Sequence, residues 1–309
     1  MSFQFFYVFV FIMAVLFFAE FFINCKKNKH LYKRDETISN IRIGVVLFFL
    51  NIVSKAIVIS SYYLVYSFRI FTIGSDWKTW FLAFLLCDFT FYWYHRAAHE
   101  INWFWAAHSV HHSSEYFNIS VTFRQSWTTQ FSGHFIFYLW LPFIGFDPVM
   151  IYFATAAGLL YQSWLHTELI GKLHPVFEFI FNTPSHHRVH HASDLNYLDK
   201  NHGEVLIIWD RMFGTFAEEK EKPNYGLTKK LLKPDLINIM FTDWKCLFSR
   251  VIKAQSFKTA VNYLIKPPGW SHDGSSKTVK ELRREIEQRN FCNKYTAQDF
   301  RMHTQIIIS

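Results

Sequence analysis

The sequence is poor in the residue types that mark several protein classes. Its 4 cysteines, at positions 25, 87, 246 and 292, form no CxxC pair, which disfavours a disulfide framework and a zinc ribbon. The chain has 11 glycines and 8 prolines in 309 residues, too few for a collagen-like repeat. Charged residues make up 18% of the chain against 51% hydrophobic ones, so a disordered chain is excluded as well.

Long apolar runs are present instead, over residues 3–24, 41–68, 77–94 and 131–164. A helix that crosses a membrane needs about 20 mostly apolar residues. We therefore predict an all-α integral membrane bundle. The fourth run is interrupted at 145–148 and each half is short for a full span, which predicts a tight hairpin of two helices or a re-entrant pair. Basic residues follow the first run rather than precede it, so we expect a retained helix and not a cleaved signal peptide.

The charge bias predicts the orientation of this bundle. Lys26, Lys27, Lys29, Lys33 and Arg34 follow the first run, and the positive-inside rule places such a loop in the cytosol. Successive crossings then bring the residues that follow the third run and the hairpin to the cytosolic surface. The net charge of +8 fits basic cytosolic loops, so no nucleic acid partner is required.

Histidines are clustered in the middle of the chain, with 13 of the 16 between His95 and His202. Eight of them form three closely spaced boxes: His95 and His99; His108, His111 and His112; His187, His190 and His191. Residues three or four apart share one face of a helix, whereas adjacent residues diverge by about 100°. One helix can therefore offer ligands to two metals. The boxes predict a two-metal site in a helical cap at the cytosolic surface.

Other residues are candidates for supporting roles. His166 follows the hairpin and is a candidate ninth ligand, while His186 and His202 are possible additional ligands. Metal-bound histidines normally donate their second N–H to a carboxylate or carbonyl, so we expect Asp88, Glu168 and Asp210 to support the ligands. Five isolated histidines are predicted to be structural: His30, His134, His174, His272 and His303.

The chemistry of the ligands narrows the choice of metal site. Imidazole suits iron, zinc, copper and nickel. The boxes contain no sulfur ligand, which argues against a structural zinc site or an iron–sulfur cluster. Neither HExxH nor HxxEH occurs in the chain, so a zinc protease is disfavoured.

Several stretches resemble the fatty acid hydroxylase / sterol desaturase superfamily of membrane enzymes, and most of all its glyceryl-ether monooxygenases. The likeness covers about residues 40–270. It is carried by FYWYHRAAHE at 91–100, WAAHSVHHSS at 105–114, WLHTE at 164–168, NTPSHHRVHHA at 182–192, YLDKNHGEVLIIWDRMFGTF at 197–216 and YGLT at 225–228. With it we expect three parts: an N-terminal membrane helix and basic loop over 1–40, the catalytic domain over 41–216 and a polar C-terminal region over 217–309. Within that last part, 279–290 is predicted to be an exposed helix.

The resemblance also implies a function. It implies that the eight box histidines, with His166, bind two irons per chain, and that Glu100 helps to hold tetrahydrobiopterin. The implied enzyme uses O2 to hydroxylate the carbon next to the ether oxygen of an alkylglycerol lipid. The products are a fatty aldehyde and glycerol, and tetrahydrobiopterin is the reductant. The implied location is the endoplasmic reticulum membrane, with several spans, histidines facing the cytosol and no obligate protein partner.

Three alternatives remain open at this point. The same scaffold could hydroxylate or desaturate a sterol or fatty acyl chain, with an electron-transfer protein in place of the pterin. The chain could instead be a histidine-rich metal-binding or metal-transport membrane protein. Histidines in a transporter should lie along the spans or in a disordered loop, whereas these occupy boxes with helical spacing. The third alternative is an inactive relative with a structural zinc pair, against which the complete boxes argue.

Overall fold

The computed structural model describes residues 3–231 and 235–289. Regular structure in these residues is helical, without strands, which confirms the all-α prediction. Its helices are α1 (Phe3–Lys27), α2 (Arg34–Tyr66), α3 (Trp77–Glu100), α4 (Asn102–His112), α5 (Trp140–Ile144), α6 (Pro148–Gln162), α7 (Pro175–Ile180), α8 (Pro184–His190), α9 (Ile208–Phe213), α10 (Leu236–Ile252), α11 (Phe257–Ile265) and α12 (279–289). Short 3-10 helices lie at Ile119–Phe123, His134–Tyr138 and Ser163–Leu165.

Helix α2 is the membrane-spanning candidate. Among the described residues it is the one helix long and apolar enough to cross a membrane. Phe49, Ile52 and Val53 are more than 60% exposed, so much of its apolar surface is not covered by protein. The sequence predicted several spans. Helix α1 continues beyond residue 24 into Lys26 and Lys27, and α3 continues from the third apolar run into the first histidine box. Neither helix is counted as a membrane-spanning candidate, so the multi-pass topology stays a prediction.

Helices α3 and α4 carry the first two histidine boxes. The Asp76 side chain caps the start of α3 by accepting a hydrogen bond from the Thr79 N–H at 2.9 Å, which satisfies one of the free amides of the first turn. The chain bends at Ile101, whose backbone is extended, and α4 then packs against α3. This sharp bend brings the two boxes onto facing helices.

The predicted interruption of the fourth apolar run is a corner at Gly145 between α5 and α6, but the first arm consists only of the 3-10 helix His134–Tyr138 and the five-residue α5, so the pair of helices is present in part. Gly145 has a φ of 129°, and a Cβ there would lie 2.1 Å from the Phe71 carbonyl oxygen. Asp147 then caps α6 by accepting from the Val149 N–H at 2.7 Å, and Pro148 occupies the first turn, where its missing N–H costs no helical hydrogen bond. Helix α6 packs against α3 over a core that includes Cys87, Tyr138, Leu141, Met150 and Ile151.

The C-terminal helices pack against the histidine-bearing helices. Trp244 and Leu247 of α10 enclose Ala106 and Ala107 of α4 in an apolar core. Helix α12 confirms the predicted exposed helix over its described residues, 279–289, and residue 290 lies outside them. Its Arg283 donates to the Leu195 carbonyl oxygen at 3.1 Å. The polar C-terminal region is thus packed onto the part of the molecule that holds the candidate site.

Candidate metal centre

Four segments bring the histidines together. Helix α3 contributes His95 and His99, α4 contributes the second box, and α8 with its C-cap His191 contributes the third. His166 directly follows the 3-10 turn at the end of α6. Arg188 of α8 links the third box to the segment after His166, because its guanidinium donates to the carbonyl oxygens of Thr167 at 2.9 Å and Ile170 at 2.7 Å.

Nine histidines form two groups, each of which could hold a metal ion. The nitrogens of each group that could bind a metal lie within 4.8 Å of one another. The first group is His95, His99, His108, His112 and His190, and the second is His111, His166, His187 and His191. The helical period explains the division. Adjacent histidines diverge, so both α4 and the end of α8 supply ligands to each group, while residues four apart stay together.

The Nε2 atoms converge at distances that suit a shared cation. Separations between Nε2 atoms are 3.0 Å for His95–His108, 3.1 Å for His108–His112, 3.2 Å for His111–His166 and 2.9 Å for His166–His187. Two imidazoles bound to one ion at about 2.1 Å and at right angles have nitrogens about 3 Å apart. The arrangement therefore has the size of a coordination shell.

Backbone carbonyls orient two rings of the first group so that Nε2 faces inward. The Nδ1 atoms of His95 and His190 lie 2.8 and 3.0 Å from the carbonyl oxygens of His202 and Lys200. A carbonyl can only accept, so each Nδ1 carries the hydrogen and each Nε2 turns a lone pair inward. Such outer partners orient metal-bound histidines.

The second group shows the same arrangement. His111 Nδ1 lies 3.2 Å from the Arg124 carbonyl oxygen, and His166 Nδ1 lies 3.3 Å from that of Gln162. The same Nδ1 atoms also lie 3.2 Å from Gln125 Nε2 and 3.1 Å from the Thr122 hydroxyl, respectively, and the two Nε2 atoms face each other at 3.2 Å. The Nε2 atoms of His99, His190 and His191 are buried without a hydrogen-bond partner. A cation would satisfy all of these nitrogens, so the residues fit a metal.

Burial keeps these imidazoles in the neutral form that binds metals. It lowers the pKa of His166 to about 3, and burial together with the neighbouring imidazoles lowers the pKa values of His108, His111, His187 and His190 well below the usual range. Protonation of a ligand abolishes its lone pair. The rings whose pKa is lowered are thus available as ligands at neutral pH.

The additional candidate ligands have different positions. His202 is fully buried, both of its ring nitrogens lack a hydrogen-bond partner, and its ring centroid lies 4.9 Å from that of His99. It therefore borders the first group. His186 lies outside both groups, with its ring 5.4 Å from that of Phe216.

The two aspartates support the site through the backbone. Asp88 accepts from the Val205 N–H at 2.8 Å and the Trp209 indole at 2.7 Å. Asp210 accepts from the N–H groups of His202 and Gly203, both at 2.7 Å. These bonds fix the segment whose His202 carbonyl oxygen holds His95. Neither aspartate hydrogen-bonds to a box histidine among these contacts.

The two glutamates lie at the edge of the site. Glu168 pairs with Lys222 at 2.8 Å. Glu100 pairs with Arg96 at 3.4 Å and with Lys280 of α12 at 3.5 Å. Both are therefore accessible from the surface, next to His166 and His99 respectively.

The isolated histidines have local partners. His134 packs its ring on Tyr94 at 4.3 Å, His174 caps α7, and His272 bonds to the Tyr263 hydroxyl at 2.7 Å. His30 lines a cavity described below. His303 lies outside the described residues.

The sequence analysis missed several buried charged residues, of which Glu204 and Arg124 are the most deeply buried. Glu204 is 3% exposed, and burial raises its pKa well above the usual range. Its position in the apolar stretch GEVLII is a signal that could have drawn attention to it. Arg124 is 1% exposed and pairs with Glu36 at 3.2 Å, which anchors the backbone that receives His111. The sequence around Arg124 carries no comparable signal.

The comparison with known proteins agrees with this site. The fatty acid hydroxylase family model matches residues 80–215, a range that includes all nine histidines of the two groups. The chain carries a fatty acid hydroxylase domain. This confirms the resemblance seen in the sequence, and no solved structure matches the chain.

Named relatives are similar over more of the chain than this domain. An alkylglycerol monooxygenase from Danio rerio is 40% identical over 242 residues, which are 77% of this chain and 53% of the relative. One from Homo sapiens is 40% identical over 266 residues, or 85% of this chain and 58% of the relative. An ornithine lipid hydroxylase from Rhizobium tropici is 31% identical over 49% of this chain and 46% of its own. The chain thus spans little more than half the length of the alkylglycerol monooxygenases.

Proposed function

We propose that this chain is a membrane-bound di-iron monooxygenase that cleaves the ether bond of alkylglycerols. The observation that carries the proposal is the pair of histidine groups with inward lone pairs, within a chain 40% identical to alkylglycerol monooxygenases. One iron in each group would use every inward-facing Nε2. Imidazole ligands suit iron, and the family of the domain favours iron over zinc.

The proposed reaction balances as a monooxygenation. One atom of O2 enters the C–H bond next to the ether oxygen, the other leaves as water, and tetrahydrobiopterin supplies two electrons. The resulting hemiacetal collapses to a fatty aldehyde and glycerol. Bound iron would supply the O2 chemistry that side chains lack. The histidines hold the metals, the carbonyl oxygens of residues 200 and 202 orient His190 and His95, and burial excludes bulk water.

Several finer assignments belong to the same proposal. Glu100 is proposed to help hold the pterin, and His202 to add a ligand to the first group. Residues 1–40, 41–216 and 217–309 are proposed as the membrane-helix, catalytic and C-terminal parts. The proposed location is the endoplasmic reticulum membrane, with several spans and the histidines on the cytosolic side. The exposed apolar surface of α2 and the basic residues between α1 and α2 support membrane attachment in this orientation.

The test is a direct assay of the reaction. Membranes that contain the protein are incubated with labelled 1-O-alkylglycerol, O2 and tetrahydrobiopterin, and fatty aldehyde is measured. We expect aldehyde that disappears without pterin and in His111→Ala, but persists in His174→Ala, which removes a helix cap outside both groups. Absence of aldehyde from a wild-type sample with two irons per chain would refute the substrate and pterin assignments.

A hydroxylase of another lipid is the second candidate. The similarity to an ornithine lipid hydroxylase over about half of the chain favours it over a metal transporter. In that case the iron-loaded protein would leave alkylglycerols intact and hydroxylate a different lipid with an electron-transfer protein as the donor. A metal content that varies with supply, without saturation at two ions, would instead favour transport.

A further inference from the structure

A cavity of about 650 Å³ lies beside the second histidine group, and no ligand is assigned to it above. Its lining includes the aromatic residues Tyr116, Phe117 and Tyr225 and the acidic residues Glu115 and Glu168. Lysines 222 and 230, which are more than 70% exposed, surround its mouth. The volume is in the range of small-molecule sites, and the lysines at the mouth suit a polar ligand.

We propose that this cavity binds the tetrahydrobiopterin that the proposed function requires, so the inference rests on that function. Phe117 is the link between cavity and metal centre. Its ring centroid lies 5.2 Å from that of His191 and 5.7 Å from that of His166. A reductant in the cavity is therefore separated from two ligands of the second group by a single aromatic side chain.

The aromatic wall suits a flat heterocycle. Tyr225 stacks on Phe117 with centroids 4.9 Å apart and an angle of 16° between the rings. Phe117 is 2% exposed and packs between Tyr225 and the histidines, so this wall is closely packed. Planar rings bind favourably to aromatic faces in offset or edge-on contact.

The carboxylates suit the polar edge of a pterin. The aminopyrimidine ring of a pterin presents two neighbouring N–H donors, and a carboxylate can accept both at once. Glu168 is the acceptor that we assign, because its side chain is 17% exposed whereas that of Glu115 is 45% exposed. Its partner Lys222 is 76% exposed and can turn toward the pterin carbonyl oxygen or side-chain hydroxyls. Glu100 does not line this cavity, so the cavity and Glu100 are competing positions for the pterin, and the test below decides between them.

The test measures binding apart from turnover. The full chain is purified in detergent, with and without metal, and titrated with 7,8-dihydrobiopterin while fluorescence is recorded. We expect Glu168→Gln and Tyr225→Leu to weaken binding by at least about tenfold, the effect of losing one charge-assisted hydrogen bond or a large aromatic contact. Glu218→Gln is the matched control, because Glu218 forms a Glu–Lys pair with Lys172 outside the cavity. Lys222→Ala, at an exposed residue, gives a second test that does not threaten folding.

The outcomes separate this inference from the proposed function. If Glu168→Gln, Tyr225→Leu and Lys222→Ala bind the pterin as tightly as wild type, the cavity assignment is wrong. If Glu100→Gln alone loses binding, the pterin lies beside the first group and the cavity assignment is also wrong. In both cases pterin-dependent aldehyde formation by the wild type would leave the proposed function intact. A wild type that binds no pterin at any metal content overturns the cavity and the reductant together.

Discussion

Glu204 is a buried acid whose environment favours the protonated form. Its carboxyl packs against Gly158 of α6, where a Cβ would lie 2.3 Å from Oε2. Burial raises its pKa above the ordinary 4.5. When the pH lies between the pKa of Glu204 in the unfolded state and its higher pKa in the folded state, the unfolded chain releases this proton and the folded chain keeps it. The contribution of Glu204 to stability is thus present at low pH and declines as pH rises through that interval.

We therefore predict that Glu204→Gln reduces this loss of stability with rising pH. Glutamine has nearly the same shape and no charge, so the variant should gain stability relative to wild type as pH rises from 5 to 8. The measurement is the unfolding temperature of both proteins at several pH values. The histidines affect both proteins equally, so the difference between the two unfolding temperatures reports Glu204 alone. Glu221→Gln, at an exposed acid, is the control. A constant difference across the pH range would contradict the protonated state of Glu204.

Glu20 is the acid that joins α1 to the segment of His166. Its carboxylate accepts from the Tyr32 and Thr167 hydroxyls and from the Ile119 N–H at 2.7 Å. We predict that Glu20→Gln lowers stability by about 1–3 kcal/mol, because an amide has only one accepting oxygen and leaves a buried donor unpaired. Metal content should fall as well, since Thr167 adjoins His166. Glu287→Gln, in the exposed part of α12, should change neither the unfolding temperature nor the metal content, and an equal effect there would contradict this reading.

At the scale of elements, the corner between α5 and α6 depends on a glycine. The positive φ of Gly145 and its contact with the Phe71 carbonyl leave no room for a side chain. We predict that Gly145→Ala destabilises the protein by at least about 2 kcal/mol. Gly171→Ala is the matched control, because a Cβ there meets no atom within 4 Å and the backbone is not in the left-handed region. Equal unfolding temperatures for the two variants would contradict the prediction.

The elements also show which features could be predicted from the sequence. Box spacing predicts which ligands share a helical face, because the helical period is local, and so His108 and His112 fall in one group while His111 falls in the other. The partners of the Nδ1 atoms could not be predicted. They include backbone carbonyls at residues 124, 162, 200 and 202 and the side chains of Thr122, Gln125 and Asp199, and only tertiary packing brings most of them to the rings. For the same reason the Asp88 bond to residue 205, 117 residues away, has no signal in the sequence.

At the scale of the whole molecule, the two histidine groups connect segments that are distant along the chain. The first group joins α3, α4 and α8, and the second joins α4, the end of α6 and α8. Without a cation the inward lone pairs repel one another in a buried space. A metal would remove that repulsion and cross-link the helical bundle. We therefore expect metal binding and stability of the fold to be coupled in this protein.

We therefore predict that metal removal lowers the unfolding temperature. A ligand that binds only the folded state stabilises it by about 2.7 kcal/mol per site at 100 times its Kd. Iron loading should raise the unfolding temperature of wild type, and chelation should reverse the change. His111→Ala should retain about half of the metal and half of the stabilisation, because it disrupts one group only, whereas His174→Ala should retain both. Loss of all metal from His111→Ala would show that the groups bind cooperatively as one site, and full retention would exclude the second group as a metal site.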